Sequence, residues 1–200
     1  MELTMRAGVR VVLGVAALLW PGLAMADWKP TQKVETYSIS GSTGIELYES
    51  IGRNGPEVGS IRTVAYTTFD LKWSRKYVPS NGGCTITANR PHLIIITKLP
   101  KPKGKLPAAT QARWDSFIAG IVRHEAEHGE HIIDMTRAIE AYSVGLRVEG
   151  DPNCKKIRTV LTERLKQLSE EQRRRSNEFD RIEMGAGGNV HRLVMALVNG

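Results

Sequence analysis

The hydrophobic period changes once along this chain, near Pro107, and that change limits the folds open to it. Upstream, residues 36–40 alternate polar and apolar. Residues 62–78 are rich in Thr, Tyr, Val, Phe and Trp, and residues 85–99 carry the run Leu93, Ile94, Ile95, Ile96 as their expected buried centre. All three read as strands, with Asn81-Gly82-Gly83 as the turn of an antiparallel hairpin. Thr43 is placed to cap a short helix that ends near Gly52 and Gly55, while Pro100, Pro102 and Gly104 are expected to break regular structure. Downstream, Phe117, Ile121, Met135 and Ile139 fall on one face of a helix reaching about Ser143. A second stripe, Ile157, Leu161, Leu165 and Leu168, extends to Phe179 and Ile182, with Asp151 as N-cap and Pro152 as first helical residue. Residues 185–188 interrupt it, and residues 190–198 suggest a final short helix. Strands followed by long helices predict an α+β fold, an N-terminal antiparallel sheet and then two long helices.

The 200 residues contain 41% hydrophobic and 24% charged side chains, which excludes a disordered or fibrous chain. Residues 1–26 read as an export signal: Arg6 and Arg10, an apolar stretch over 11–20, the breaker Pro21-Gly22, and the small-x-small triplet Ala24-Met25-Ala26. The apolar stretch is about half of the roughly 20 residues a bilayer span needs, so no transmembrane anchor is expected after cleavage. Residues 27–200 are then a single mature domain, periplasmic or secreted. In an oxidising compartment Cys84 and Cys154, the only two cysteines, are expected to pair; two cysteines cannot build a Cys₄ metal ribbon.

The segment that carries chemistry is His124-Glu125-Ala126-Glu127-His128, an H-E-x-x-H motif inside the first long helix. Residues i and i+4 project from one side, so His124 and His128 can converge on one cation, while Glu125 lies about 100° round the helix and flanks it. A Zn²⁺ ion lowers the pKa of a bound water to about 7, and a flanking carboxylate can take its proton. The two histidines sit within about 60° of Phe117, Ile121 and Met135 on the helical wheel, and Arg123, Glu127, Glu130 and Asp134 occupy the opposing side. Inward-facing imidazoles need hydrogen-bonding partners or a metal.

A third ligand is not fixed by this spacing. His131 stands about 10.5 Å along the helix from His124, and it or Asp134 could join only if the helix broke at Gly129. Otherwise the ligand comes from a later element. His191, the only histidine after the motif segment, is preferred, followed by Glu183, with Asp180 a further candidate and Glu163 behind them.

Trp114, the His124–Gly129 hexapeptide, Asp151-Pro152-Asn153-Cys154, Phe179-Asp180-Arg181-Ile182-Glu183-Met184 and Gly187-Gly188-Asn189-Val190-His191 together resemble a bacterial domain-of-unknown-function family described as predicted secreted zinc-dependent proteases. The resemblance spans nearly all of the mature chain. It implies a zincin-like fold, His124 and His128 as zinc ligands, Glu125 as catalytic base, and a peptide or protein substrate. The competing expectation is a non-catalytic envelope binding protein whose metal site is structural or absent. The net charge of +7, with Lys98, Lys101, Lys103 and Lys105 around the prolines, allows weak contact with anionic envelope polymers. Nothing resembles a nucleic-acid module, and Arg173-Arg174-Arg175 after Glu170-Glu171 suggests intrahelical pairing instead.

Overall fold

The computed structural model describes residues 28–199; the expected export signal over residues 1–26 lies outside them. Strand β1 (Thr31–Ile39) leads into helix α1 (Gly44–Asn54). Thr43 caps α1 as expected: its hydroxyl accepts from the Glu46 N–H, and the Glu46 carboxylate accepts from the Thr43 N–H, a reciprocal capping box. Gly52 does not stop the helix, which ends at Gly55. A two-residue-strand hairpin, β2 (Glu57–Val58) and β3 (Ile61–Arg62), precedes the long strand β4 (Tyr66–Ser80). Strand β5 (Gly83–Pro102) returns through the expected tight turn, with Asn81 at φ 47° and Gly82 at φ 75°, the left-handed pair that a two-residue hairpin requires.

The sheet is mixed, which corrects the expected antiparallel one. Its order is β1-β5-β4, with β4 antiparallel to β5 and β1 parallel to it, Thr31 opposite Ile94 and Ile39 opposite Pro102. Alternating hydrophobicity reports which side chains face inward and is blind to strand direction, so residues 36–40 could not reveal it. Pro100 and Pro102 do not break β5 either. They pair with Tyr37 and Ile39 of β1 beyond the point, Tyr66 opposite Lys98, where β4 begins, so one side of β5 there needs no ladder donor. Among the described residues, helices cover one face of the sheet only. Leu93 and Ile95 are therefore buried while Ile94 between them is 36% exposed, and the four-residue apolar run is not buried throughout.

Helix α2 (Ala108–Ser143) crosses that face and, at 36 residues, is about 54 Å long. Its first third packs Trp114, Phe117 and Ile121 against Ile39, Leu47 and Leu197 of α4 (Asn189–Val198). Its later turns set Ile132, Met135 and Ile139 against Leu93, Ile95 and Leu168. Strand β6 (Arg147–Val148) pairs with the start of β5, and helix α3 (Lys156–Met184) runs back along α2. Helix α3 begins at Lys156, not at Pro152. Cys154 takes φ 53°, and the Asp151 carboxylate reaches over this bend to accept from the N–H groups of Lys155 and Ile157. Cys84 and Cys154 form a disulfide inside a third cluster with Ile86, Ile157 and Leu161.

Candidate metal centre

Helix α2 passes unbroken through Gly129, and that decides which motif residues can meet. His124 and His128 stay one turn apart on the face turned to α3. His131 and Asp134 are carried away: the His131 Nδ1 lies 3.0 Å from Ser176 Oγ, and Asp134 pairs with Arg175 at 3.3 Å. A glycine in mid-helix costs only about 1 kcal/mol relative to alanine, so Gly129 by itself does not end a helix packed along its length.

The third group comes from α3 and is Asp180. Its Oδ1 lies 3.1 Å from His124 Nε2 and 2.9 Å from His128 Nε2, and the two Nε2 atoms are 3.2 Å apart. Ligand atoms around a tetrahedral zinc with bonds near 2.05 Å stand about 3.3 Å from one another, close to each edge of this triangle. Two Nε2 atoms at this separation, aimed at one oxygen, are poorly served by hydrogen bonds alone, because two N–H protons would face each other. A cation shared by all three resolves that, and a two-imidazole, one-carboxylate donor set suits Zn²⁺.

Of the other sequence candidates, Glu183 is close and His191 is not among the gathered ligand atoms. The Glu183 carboxylate stands 3.9 Å from His124 Nδ1, which is buried without a hydrogen-bond partner among the described residues. At that distance Glu183 makes no hydrogen bond to Nδ1, but it stands on the side from which an outer carboxylate would orient a metal-bound imidazole through its second nitrogen. His191 lies on α4 beyond the Gly185–Gly188 interruption, and its Nδ1 accepts from the Gly187 N–H at 3.4 Å. Glu163 is exposed and about 25 Å up α3 from Asp180. Residue type alone favours His191; the packing of α3 on α2 brings Asp180, and not His191, to the two imidazoles.

The surroundings set the charges. Burial would push the Asp180 carboxyl up, yet hydrogen bonds and charge from His124 and His128 outweigh it and hold it well below the usual carboxylate range. Burial would likewise depress His128, but Asp180, Glu125 and Glu127 raise it above the ordinary imidazole value. Glu125 is 6% exposed, and desolvation lifts its pKa, partly offset by the Thr67 hydroxyl donating to its Oε2 at 2.7 Å. Phe179 stacks on His124 with centroids 4.8 Å apart and meets His128 and His131 edge-on, which fixes the three rings.

His124, Glu125, His128, Asp180 and Thr67 line a cleft of about 390 Å³ whose walls are the start of β4, residues 66–69, and α3, with α2 as its floor. Among the described residues the outer edge of β4 has no strand partner. Thr67 escaped the sequence reading because a threonine in a Thr-rich strand looks like β propensity and nothing more. Among the described residues no helix is long and apolar enough to cross a membrane. No curated protein and no solved structure matches this chain. Residues 34–188 match the model of a family of bacterial proteins of unknown function, DUF922, and the chain belongs to that family.

Proposed function

We propose that this protein is an exported, zinc-dependent peptidase in which His124, His128 and Asp180 hold the metal and Glu125 is the general base. The observation that carries this reading is the triangle of two imidazole nitrogens and one carboxylate oxygen, each edge between 2.9 and 3.2 Å, at the floor of a cleft beside a buried carboxylate. Zinc held there would supply a Lewis acid for a carbonyl oxygen and a water of lowered pKa.

The chain's own residues do the rest. The Asp180 side chain is 37% exposed and that of His128 13%, so the triad is open on the cleft side, as a catalytic site requires and a closed structural site does not. Glu125, desolvated and held by Thr67, keeps a proton more readily than a surface carboxylate, which suits a group that takes a proton from water and hands it to a leaving amine. The free edge of β4 offers backbone groups to an extended peptide, aligning a scissile carbonyl over the triad by strand addition. A disulfide tying β5 to the start of α3 suits an oxidising compartment.

The test is zinc content together with peptide hydrolysis for the wild type and Glu125→Gln. One zinc per chain in both, with turnover lost only in the variant, supports the reading. Unchanged hydrolysis in Glu125→Gln, or purified protein that binds no zinc, overturns it.

A further inference from the structure

We propose that Arg173 makes the cleft selective for peptides carrying a carboxylate about three residues from the bond that is cut; this rests on the peptidase reading above. Helix α3 presents Ser169, Arg173, Asn177, Asp180 and Met184 to the cleft. Arg173 and Asp180 are seven residues apart, which returns to within about 20° of the same side and separates them by about 10.5 Å along the axis. A peptide lying extended along α3 advances about 3.3 Å per residue, so the two positions match a spacing of about three residues. The cleft is also lopsided: it continues about 16 Å from Asp180 to Ser169 and only about 6 Å to Met184, placing Arg173 on the longer arm.

Charge singles out this residue. Among the described residues lining the cleft, Arg173 is the one lysine or arginine, and the acidic ones, Glu125 and Asp180, belong to the metal centre. Arg175 is paired with Asp134 and Arg181 with Glu178; Arg173 and Arg174 have no ion pair or side-chain hydrogen bond among the described residues, and of these two only Arg173 lines the cleft. The facing wall at Thr67, Thr68 and Phe69 is uncharged. An unpaired guanidinium at the margin of a peptide-sized groove is a fork for a planar carboxylate. Either an Asp or Glu side chain or a free C-terminal carboxylate supplies that group.

The experiment uses zinc-loaded protein and quenched-fluorescent peptides built on a sequence found cleaved in a mixed library. Glu, Gln or Lys is placed three residues to either side of the cut, and a matched pair ends there as free acid or amide. We expect kcat/KM to favour Glu over Gln on one side by about fivefold to tenfold, the preference to vanish in Arg173→Gln, and Arg173→Glu to prefer Lys. A free acid preferred over its amide assigns the carboxylate to the chain end; equal rates assign it to the side chain. Absence of a Glu preference, or one that survives in Arg173→Gln, overturns the proposal while leaving the peptidase reading intact. If no peptide is cut, the peptidase reading falls, and fluorescence anisotropy of the same peptides on Glu125→Gln, with and without Arg173→Gln, decides anion recognition: Arg173-dependent binding of the acidic peptides supports it, and indifference refutes it.

Discussion

Replacing both cysteines by alanine tests how much of this fold's stability comes from constraining its unfolded chain. The bridge spans a sequence separation of 70, a stretch that contains all but the first residue of β5 and the whole of α2. Closing a loop of that length removes unfolded-state entropy worth about 4 kcal/mol at 25 °C in the chain-entropy model. For a domain of this size each kcal/mol moves Tm by about 2–4 °C, so Cys84→Ala/Cys154→Ala should melt about 8–16 °C lower in calorimetry. Reduction of the wild type should reproduce most of that shift. The bridge anchors the start of α3, whereas Asp180 lies about 36 Å further along the same helix. Zinc affinity measured below both melting points should therefore match the wild type. A Tm loss under about 3 °C would refute the entropic estimate. A large fall in the affinity of folded variant would refute the separation of the two ends of α3.

Asp180→Ala should weaken zinc binding in chelator competition by more than the roughly 10–100-fold expected of an outer partner such as Glu183→Gln, while His191→Ala leaves it unchanged; the reverse order would restore His191 as ligand. Gly44→Ala should lower Tm by several degrees, because an added Cβ overlaps the backbone carbonyl of Leu197 and overpacking there costs about 1–3 kcal/mol, and a neutral result would show that α1 and α4 separate easily. Burial pushes the Asp151 carboxyl up, but backbone N–H groups of Ile157, Lys156 and Lys155 outweigh it and hold it below its ordinary value of 3.8. A depressed folded-state pKa contributes stability present above that value and lost as pH falls through the lower one. The Tm gap between wild type and Asp151→Asn should thus be constant near neutrality and shrink below about pH 4; a gap unchanged down to pH 2 would remove the charged cap from the account.

What could be read from the sequence follows rules that act over a few residues. Thr43 with Glu46 announces α1, Asn81-Gly82 announces the β4–β5 turn, and His124 with His128 announces a paired-imidazole face because a helix repeats every 3.6 residues. The misplacements occur where a distant segment decides. Pro100 and Pro102 read as breakers until β1 is seen beside them, and Asp151 reads as an adjacent N-cap until the bend at Cys154 is seen beneath it.

The sequence alone thus determined the order of the long strands and the helices, though not the short strands β2, β3 and β6, the paired cysteines, and two histidines and a glutamate in fixed relation on one helix, since each depends on local periodicity or on simple counting. Tertiary structure decided the direction of β1, the gathering of Asp180, and not His191, with His124 and His128, the hydrogen bond from Thr67 to Glu125 and the place of Arg173 in the cleft. Those depend on how segments distant in sequence meet, β1 on β5, and β4 and α3 on α2, and no short-range rule carries the angle and register of such contacts.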